Sequence, residues 1–180
     1  MLTAAFWGLV QGLTEFLPIS SSGHLVLVPA LLGMDEPDLA TTAVLHLGTL
    51  AAVVWYYRSD LLRLTRLRTD PGARTILLLL VIGTIPAAVI GILFDSKIEI
   101  IFTEPWIAAA LLIGTGVILS IGLLIPRGDR RVEDGTAGDA VVVGWAQALA
   151  LLPGISRSGM TMTAAMAQGA RVRAAMRPAA

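Results

Sequence analysis

The stretch QGLTEFLPISSSGHL, residues 11–25, places a carboxylate, three serines and an imidazole inside an otherwise apolar chain. Pro18 and Gly23 oppose a continuous helix there, because proline lacks a backbone N–H and glycine is conformationally free. The apolar segment before this stretch, residues 2–14, is shorter than the roughly 20 residues that cross a bilayer as a helix. The sequence therefore predicts a half-span that breaks inside the membrane, where unwound backbone must line a cavity or be buried in protein.

The composition of the chain indicates that lipid surrounds most of it. The 180 residues are 56% hydrophobic and 14% charged, and the mean hydropathy is +0.79. Soluble domains contain about 25% charged residues, so this chain is unusually poor in charge. The formal net charge of zero argues against nucleic-acid binding, and the absence of cysteine excludes disulfides and thiolate metal sites.

Three further segments are long and apolar enough to cross a membrane, and His46 is the one acidic or basic side chain within them. These segments are residues 40–57, 76–94 and 106–125. Another apolar run, 140–152, is as short as the first one and leads into PGISRSGMT, residues 153–161, so it predicts a second half-span. The predicted fold is an all-α, polytopic membrane protein with two re-entrant, broken-helix hairpins.

Charges between the spans predict the orientation of the chain. Arginines crowd residues 58–75, and three more follow the last span in 126–139. Residues 95–105 carry acidic side chains and one lysine. Under the positive-inside rule, 58–75 and 126–139 are expected in the cytoplasm and 95–105 outside.

The two broken segments form an internal repeat. Moving the sequence by 136 residues aligns Gln11 with Gln147, and the matches include glycine, glutamine and serine, which an apolar composition does not explain. Because three spans, an odd number, separate the copies, they are expected to enter from opposite leaflets as an inverted-topology repeat. Two unrelated kinked helices are the alternative. The identical pairs are Gly8 and Gly144, Gln11 and Gln147, Leu13 and Leu149, Ile19 and Ile155, Ser20 and Ser156, Ser22 and Ser158, and Gly23 and Gly159.

Glu15, His24 and Arg157 are costly at membrane depth, where insertion scales assign a charged side chain about 2.5 to 3.5 kcal/mol at a helix centre. Such residues pair with one another, face water or take part in function. Arg157 lies in GISRSG, where small residues let backbone amides approach an anion and the guanidinium suits phosphate oxygens. The alternatives are an arginine that reaches the interface or one that pairs with Glu15.

Two pairs of side chains in the first copy have spacings that suit phosphate chemistry. Gln11 and Glu15 share a helix face, and their oxygens suit a hard cation such as Mg²⁺ or Ca²⁺, although one carboxylate is a weak metal signal. Ser21 and His24 lie three residues apart, which predicts a hydroxyl beside an imidazole. Serines that only cap a helix and a histidine that bonds a carbonyl are the alternatives. His46 is expected to pack, with a position in the wall of the same cavity as the alternative.

The two motifs resemble the signatures of a known family. QGLTEFLPISSSGHL resembles an (E/Q)xxxE element followed by Pro-x-Ser-Ser-x-Gly-His, and LPGISRSGMT, residues 152–161, resembles Pro-Gly-x-Ser-Arg-Ser-x-x-Thr. They are similar to the undecaprenyl-diphosphate phosphatase family, often called bacitracin-resistance proteins. The resemblance covers residues 1 to about 168. It implies a multi-pass plasma-membrane hydrolase that removes the terminal phosphate of undecaprenyl diphosphate and recycles the carrier lipid for cell-wall synthesis.

The resemblance also implies roles for individual residues. Ser21 and His24 become the candidates for nucleophile and proton transfer, in either order, and Glu15 joins them as a catalytic residue. Gln11 and Glu15 are expected to handle a divalent cation, Mg²⁺ or Ca²⁺. The implied partners are a polyprenyl diphosphate and the membrane, and a homo-oligomer is compatible with the pattern. The expected diphosphate-binding residues are Arg157, Ser156, Ser158 and Thr161.

The chain departs from the family pattern near its end. Family members continue through further transmembrane helices after the second motif, whereas residues 164–180 are basic and rich in alanine. We therefore expect a partial membrane phosphatase domain over 1–168, an incomplete inverted repeat and an aberrant tail over 169–180, as in a truncated gene. The rival function is a lipid or small-anion transporter or flippase, because broken helices in an inverted repeat are typical of transporters.

Overall fold

The computed structural model describes residues 2–126 and 128–171, and the regular elements within them are helical, as the predicted all-α class requires. Residues 172–180, which form most of the predicted tail, lie outside the described residues. The elements are α1 (Leu2–Phe16), α2 (Ser21–Leu32), α3 (Leu39–Tyr56), α4 (Arg58–Leu64), α5 (Pro71–Phe102), α6 (Pro105–Leu124), a 3₁₀ turn (Val132–Asp134), α7 (Ala137–Leu149) and α8 (Arg157–Ala167).

Two helices in the described residues are long and apolar enough to cross a membrane, and a bent pair would supply a third crossing. The two are α5, with 32 residues, and α6, with 20 residues. The bent pair is α3 with α4, which meet at 74°. The three predicted spans thus correspond to α3, α5 and α6.

Helix α5 is longer than the predicted span. It starts at Pro71, where the side chain of Asp70 accepts a hydrogen bond from the Ala73 N–H. The backbone leaves helical geometry at Phe94 (φ −121°, ψ 15°), where the predicted span ends. We expected a connecting loop over 95–105, but the helix resumes and continues to Phe102. Residues 95–102 contain no glycine or proline to stop a helix, so only two residues separate α5 from α6.

The two repeat copies fold into hairpins that share a capping pattern. α1 and α2 form the first hairpin, and α7 and α8 form the second. Ser20 caps α2 by accepting a hydrogen bond from the Gly23 N–H at 3.4 Å, and Ser156 caps α8 by accepting one from the Gly159 N–H at 3.2 Å. Both caps satisfy a backbone donor that a helix start leaves unpaired, although the backbone differs, with φ +65° at Ser20 and φ −75° at Ser156.

The breaks of the two hairpins pack against each other reciprocally. A Cβ atom on Gly23 would lie 2.7 Å from the Cα of Gly154. A Cβ atom on Gly159 would lie 3.4 Å from the carbonyl oxygen of Pro18. Gly23 is the repeat partner of Gly159, and Pro18 is that of Gly154. Each break thus approaches the other at a position of the aligned repeat.

Small residues carry the packing between helices. Gly144 on α7 lies so close to α5 that a Cβ atom there would be 2.7 Å from the carbonyl oxygen of Gly83. The buried apolar side chains include many alanines, whereas large ones point outward, with Leu123 86% exposed and Ile92 81% exposed. Close contact through small residues and an apolar exterior are typical of helices packed in lipid.

Ion pairs join the two segments that were predicted to share the cytoplasmic side. Arg63 on α4 lies 2.6 Å from Asp70 and 2.7 Å from Glu133 in the 3₁₀ turn. The bonds from Arg63 and from the Ala73 N–H lower the pKa of the Asp70 carboxyl to about 2. Because 58–75 and 126–139 touch, they lie on the same side of the spans, as the arginine pattern requires.

Candidate active site

A polar cavity of about 240 Å³ lies where the two hairpin breaks meet. Its walls come from the end of α1, the start of α2, one face of α3 and the start of α8. Six of the predicted site residues therefore lie around one space, although the two motifs are more than a hundred residues apart in the chain. These six are Glu15, Ser21, Ser156, Arg157, Ser158 and Thr161.

The hydroxyl of Ser21 is hydrogen-bonded to the carboxylate of Glu15 across the first break. Ser21 Oγ donates a hydrogen bond to Oε2 of Glu15, and Gln11 Nε2 donates to the same oxygen at 3.0 Å. The hydroxyl is available because Ser20, not Ser21, caps α2. A carboxylate in this position can accept the proton of the hydroxyl as its oxygen attacks an electrophile.

His24 does not line the cavity. Its Nδ1 atom lies 2.7 Å from the carbonyl oxygen of Ser20, one turn earlier on α2. Side chains on a helix lean back over the preceding turn, which turns this imidazole toward its own backbone instead of toward Ser21. The bond to a carbonyl agrees with the structural alternative raised from the sequence, and a catalytic role for His24 stays a prediction.

His46 lines the cavity, which is the position that the sequence left open for it beside packing. It lies on α3, outside both motifs, with its side chain exposed and its Nδ1 2.8 Å from the carbonyl oxygen of Thr42. The signal for it in the sequence was its place as the one acidic or basic residue in a predicted span, since intramembrane ionisable residues mark functional sites.

The side chain of Gln11 carries a buried oxygen atom that has no hydrogen-bond partner. The residue is only 1% exposed, and its Oε1 oxygen has no hydrogen-bond partner in the structure. A buried oxygen without a partner is unfavourable unless a ligand, water or ion meets it. The described residues contain no group of three or more His, Cys, Asp or Glu side chains that could hold a metal. Gln11 and Glu15 alone could offer a cation two oxygen ligands.

Arg157 begins α8 and has no carboxylate within 4.0 Å in the described part of the chain, so it is not paired with Glu15. Ser158 Oγ donates weakly to the Leu17 carbonyl at 3.5 Å, and Thr161 Oγ1 donates to the Arg157 carbonyl at 2.8 Å. A guanidinium without a protein counter-ion beside such hydroxyls is suited to a bound anion.

Thr115 on α6 positions the second break, and sequence reasoning missed it. Its hydroxyl donates to the Gly154 carbonyl at 2.7 Å and accepts from the Ser156 N–H at 3.1 Å, and both bonds are buried. Gly154 has φ +100°, which a residue with a side chain rarely adopts. A threonine in an apolar span gave no signal of this contact, since its partners are thirty-nine and forty-one residues away.

The side of the cavity that carries Arg157 favours an anion, whereas Glu15 places a carboxylate in the wall formed by the first hairpin. Two helices, α2 and α8, begin at its wall and direct backbone N–H groups and the positive ends of their dipoles toward it. Arg157 adds a full positive charge. The arrangement combines an anion-binding region with a serine bonded to a carboxylate, which are the parts that phosphoryl transfer through a serine needs.

Comparison with known proteins agrees with this geometry. Residues 4–179 match the family model described as Bacitracin resistance protein BacA. The chain is 43% identical to the Undecaprenyl-diphosphatase of Renibacterium salmoninarum, over 98% of this chain and 66% of that protein. It is 47% identical to the Undecaprenyl-diphosphatase of Elusimicrobium minutum, over 93% of this chain and 66% of that protein. The chain thus spans slightly less than two thirds of the length of these relatives.

Proposed function

The chain belongs to the bacitracin resistance protein BacA family, and on that premise we propose that it hydrolyses the terminal phosphate of undecaprenyl diphosphate. The observation that carries the proposal is that one cavity is lined both by Ser21 and Glu15, which are hydrogen-bonded to each other, and by Arg157, which forms no salt bridge among the described residues. The relatives' printed name, Undecaprenyl-diphosphatase, supplies the substrate class. Regenerating the monophosphate carrier for cell-wall synthesis would confer the bacitracin resistance for which the family is named.

The reaction follows from the contacts in the cavity. Arg157 and the N-terminal N–H groups of α8 bind the diphosphate oxygens and offset the charge that accumulates in the transition state. Ser21 Oγ forms a bond to the terminal phosphorus, and its proton passes to Glu15 Oε2. The bond from that phosphorus to the bridging oxygen breaks, and the lipid monophosphate leaves. Water then hydrolyses the phosphoserine.

A divalent cation, Mg²⁺ or Ca²⁺, is part of the proposal. The orphaned Oε1 of Gln11 and the carboxylate of Glu15 are the kind of oxygen donors that a hard cation prefers; Glu15 lines the cavity, and Gln11 lies buried behind it. When bound, the cation would neutralise part of the diphosphate charge. Gln11 and Glu15 would hold it on one face of α1, one helical turn apart.

We also propose that the hairpins are re-entrant and form an inverted-topology repeat in the plasma membrane. The reciprocal contact of Gly23 with Gly154 and of Gly159 with Pro18 supports this arrangement. A site at membrane depth suits a substrate whose polyprenyl tail stays in the bilayer. A homo-oligomer stays a prediction.

The test is release of inorganic phosphate from a polyprenyl diphosphate by the purified chain in detergent. Ser21→Ala should abolish release, and Arg157→Ala should lower it about 10²- to 10³-fold, as loss of a charge-stabilising donor does. Ser120→Ala is a matched control, because that hydroxyl bonds the Gly116 carbonyl of its own helix. Arg66→Ala controls for loss of a positive charge. Substrate movement across vesicles without hydrolysis would favour the transporter instead.

A further inference from the structure

Hydrolysis through a phosphoserine needs one base for the serine that attacks and one base for the water that attacks later. The hydrogen bond between Ser21 and Glu15 explains only the first. When Ser21 attacks, its proton moves to Glu15 through their hydrogen bond. When the phosphoserine later breaks, the departing Ser21 oxygen takes a proton back from the same carboxyl group, by microscopic reversibility. The water that attacks phosphorus must therefore lose its proton to a different group.

The cavity offers few candidates for that second base. Its ionisable lining residues, within the described part of the chain, are Glu15, His46 and Arg157. Oε2 of Glu15 already accepts hydrogen bonds from Ser21 and Gln11. A guanidinium stays protonated in proteins and cannot serve as a base. His46 is the remaining group.

The geometry of His46 suits this role. Its Nδ1 lies 2.8 Å from the Thr42 carbonyl, which can only accept a hydrogen bond, so Nδ1 carries the ring proton of the neutral imidazole. Nε2 is then the basic nitrogen, and no hydrogen bond to it is found among the described residues. Helix α3 packs against α1, where Gly8 faces Leu45, the residue before His46. The imidazole is thus presented to the cavity from a wall separate from the two hairpins.

We propose that His46 is the general base of the second half-reaction, an assignment that rests on the proposed function. Nε2 of His46 accepts a proton from water as the water oxygen bonds to the phosphorus of phosphorylated Ser21. The bond from phosphorus to Ser21 Oγ breaks, and that oxygen receives the proton held by Glu15. Inorganic phosphate leaves, and the imidazolium returns its proton to solvent. His24, on α2, is not assigned to this step.

The experiment separates the two half-reactions. Farnesyl diphosphate labelled with ³²P in the terminal phosphate is mixed with the full chain, and samples are quenched in acid. We expect His46→Gln to release one equivalent of farnesyl monophosphate in a burst while the label stays on Ser21. Steady-state release of inorganic phosphate should fall about 10²- to 10⁴-fold, the usual contribution of a general base. The burst itself shows that the variant is folded.

A second variant tests the proton transfer directly. In His46→Ala, added imidazole should restore loss of the label from Ser21, whereas added 1,3-dimethylimidazolium, which has no free ring nitrogen to accept a proton, should not. Val44→Ala is the matched control, because residue 44 lies two positions from His46 on the opposite face of α3 and its side chain is 66% exposed. It should show normal turnover without an accumulated label.

Three results would overturn the assignment. His46→Gln could turn over at the unmodified rate without phosphoserine. Both His46 variants could lose the burst together with turnover, which would place the residue in the first half-reaction or in folding. His46→Gln could release phosphate at a lowered rate with no label on Ser21 at any quench time, which would exclude a phosphoserine that waits for the base. A chain that releases no phosphate at all would instead refute the proposed function, and the inference with it.

Discussion

Replacing Gly23 by alanine should push apart the two hairpin breaks and misalign the cavity between them. The added Cβ would lie 2.7 Å from the Gly154 Cα, 3.0 Å from the Gly154 nitrogen and 3.0 Å from Leu112 Cγ. Two of these atoms are backbone and cannot rotate away, so one hairpin must shift. Overpacking of this kind costs about 1–3 kcal/mol. Alanine recovers about 0.5–1 kcal/mol over glycine inside a helix, which leaves a net loss of about 0–2.5 kcal/mol.

Activity should fall more than stability does. Ser21 lies on the Gly23 side of the contact and Arg157 follows Gly154, so a displacement separates the nucleophile from the diphosphate-binding region. A misplacement of about 1 Å can lower a rate about 10²-fold. Unfolding in detergent and phosphate release would be measured on the same preparation.

The glycines of this chain supply matched controls. Gly12→Ala adds a methyl group with nothing within 4 Å, so it should be neutral or slightly stabilising. Gly159→Ala meets Leu119 Cδ2 and Ser156 Cβ at 3.2 Å and the Pro18 carbonyl oxygen at 3.4 Å, which is a milder overlap than the 2.7 Å approach at Gly23, so it should fall between the two. Equal stability and activity of all three variants would refute the close contact between the breaks.

Three further predictions follow from single contacts. Thr115→Val should lower the free energy of unfolding by about 1–3 kcal/mol, because two buried backbone groups lose their partner, and a circular dichroism melt would show it. The pKa of Asp70 in the folded state is lowered to about 2 by Arg63, so the carboxylate stabilises the fold above pH 4 and this stabilisation is lost as the pH falls from 4 to 2. In Asp70→Asn, the melting temperature measured at a series of pH values should therefore fall less between pH 4 and pH 2 than it does in the unmodified chain. Gln11→Glu should lower the Mg²⁺ concentration for half-maximal phosphate release, since a second carboxylate joins Glu15; an unchanged or higher requirement would contradict a cation there.

Much of the helical layout was predictable from local pattern. Apolar runs without charge predicted the spans that became α3, α5 and α6, because length and hydropathy are properties of a segment alone. The repeat predicted two equivalent breaks, and Ser20 and Ser156 cap their helices in the same way. The end of α5 was harder to predict, because charged residues at a membrane surface remain good helix formers and residues 95–102 stay helical.

The candidate site was predictable in part. The motifs pointed to Glu15, Ser21 and Arg157, and the structure places all three around one cavity. The pairing of residues within the site was not predictable. Ser21 and His24 are neighbours in sequence, yet the hydroxyl bonds Glu15 across the break and the imidazole bonds its own backbone.

The sequence by itself determined which segments are apolar, where each hairpin must break and which chemical groups the breaks carry. Only the tertiary structure decided which of those groups meet. Packing of the second break on the first brings Arg157 to the serine, and packing of α3 on α1 adds His46 to the same cavity. The physical reason is the distance along the chain over which each effect acts. Hydropathy and helix breaking depend on a few neighbouring residues, whereas a cavity wall depends on contacts between segments far apart in the chain.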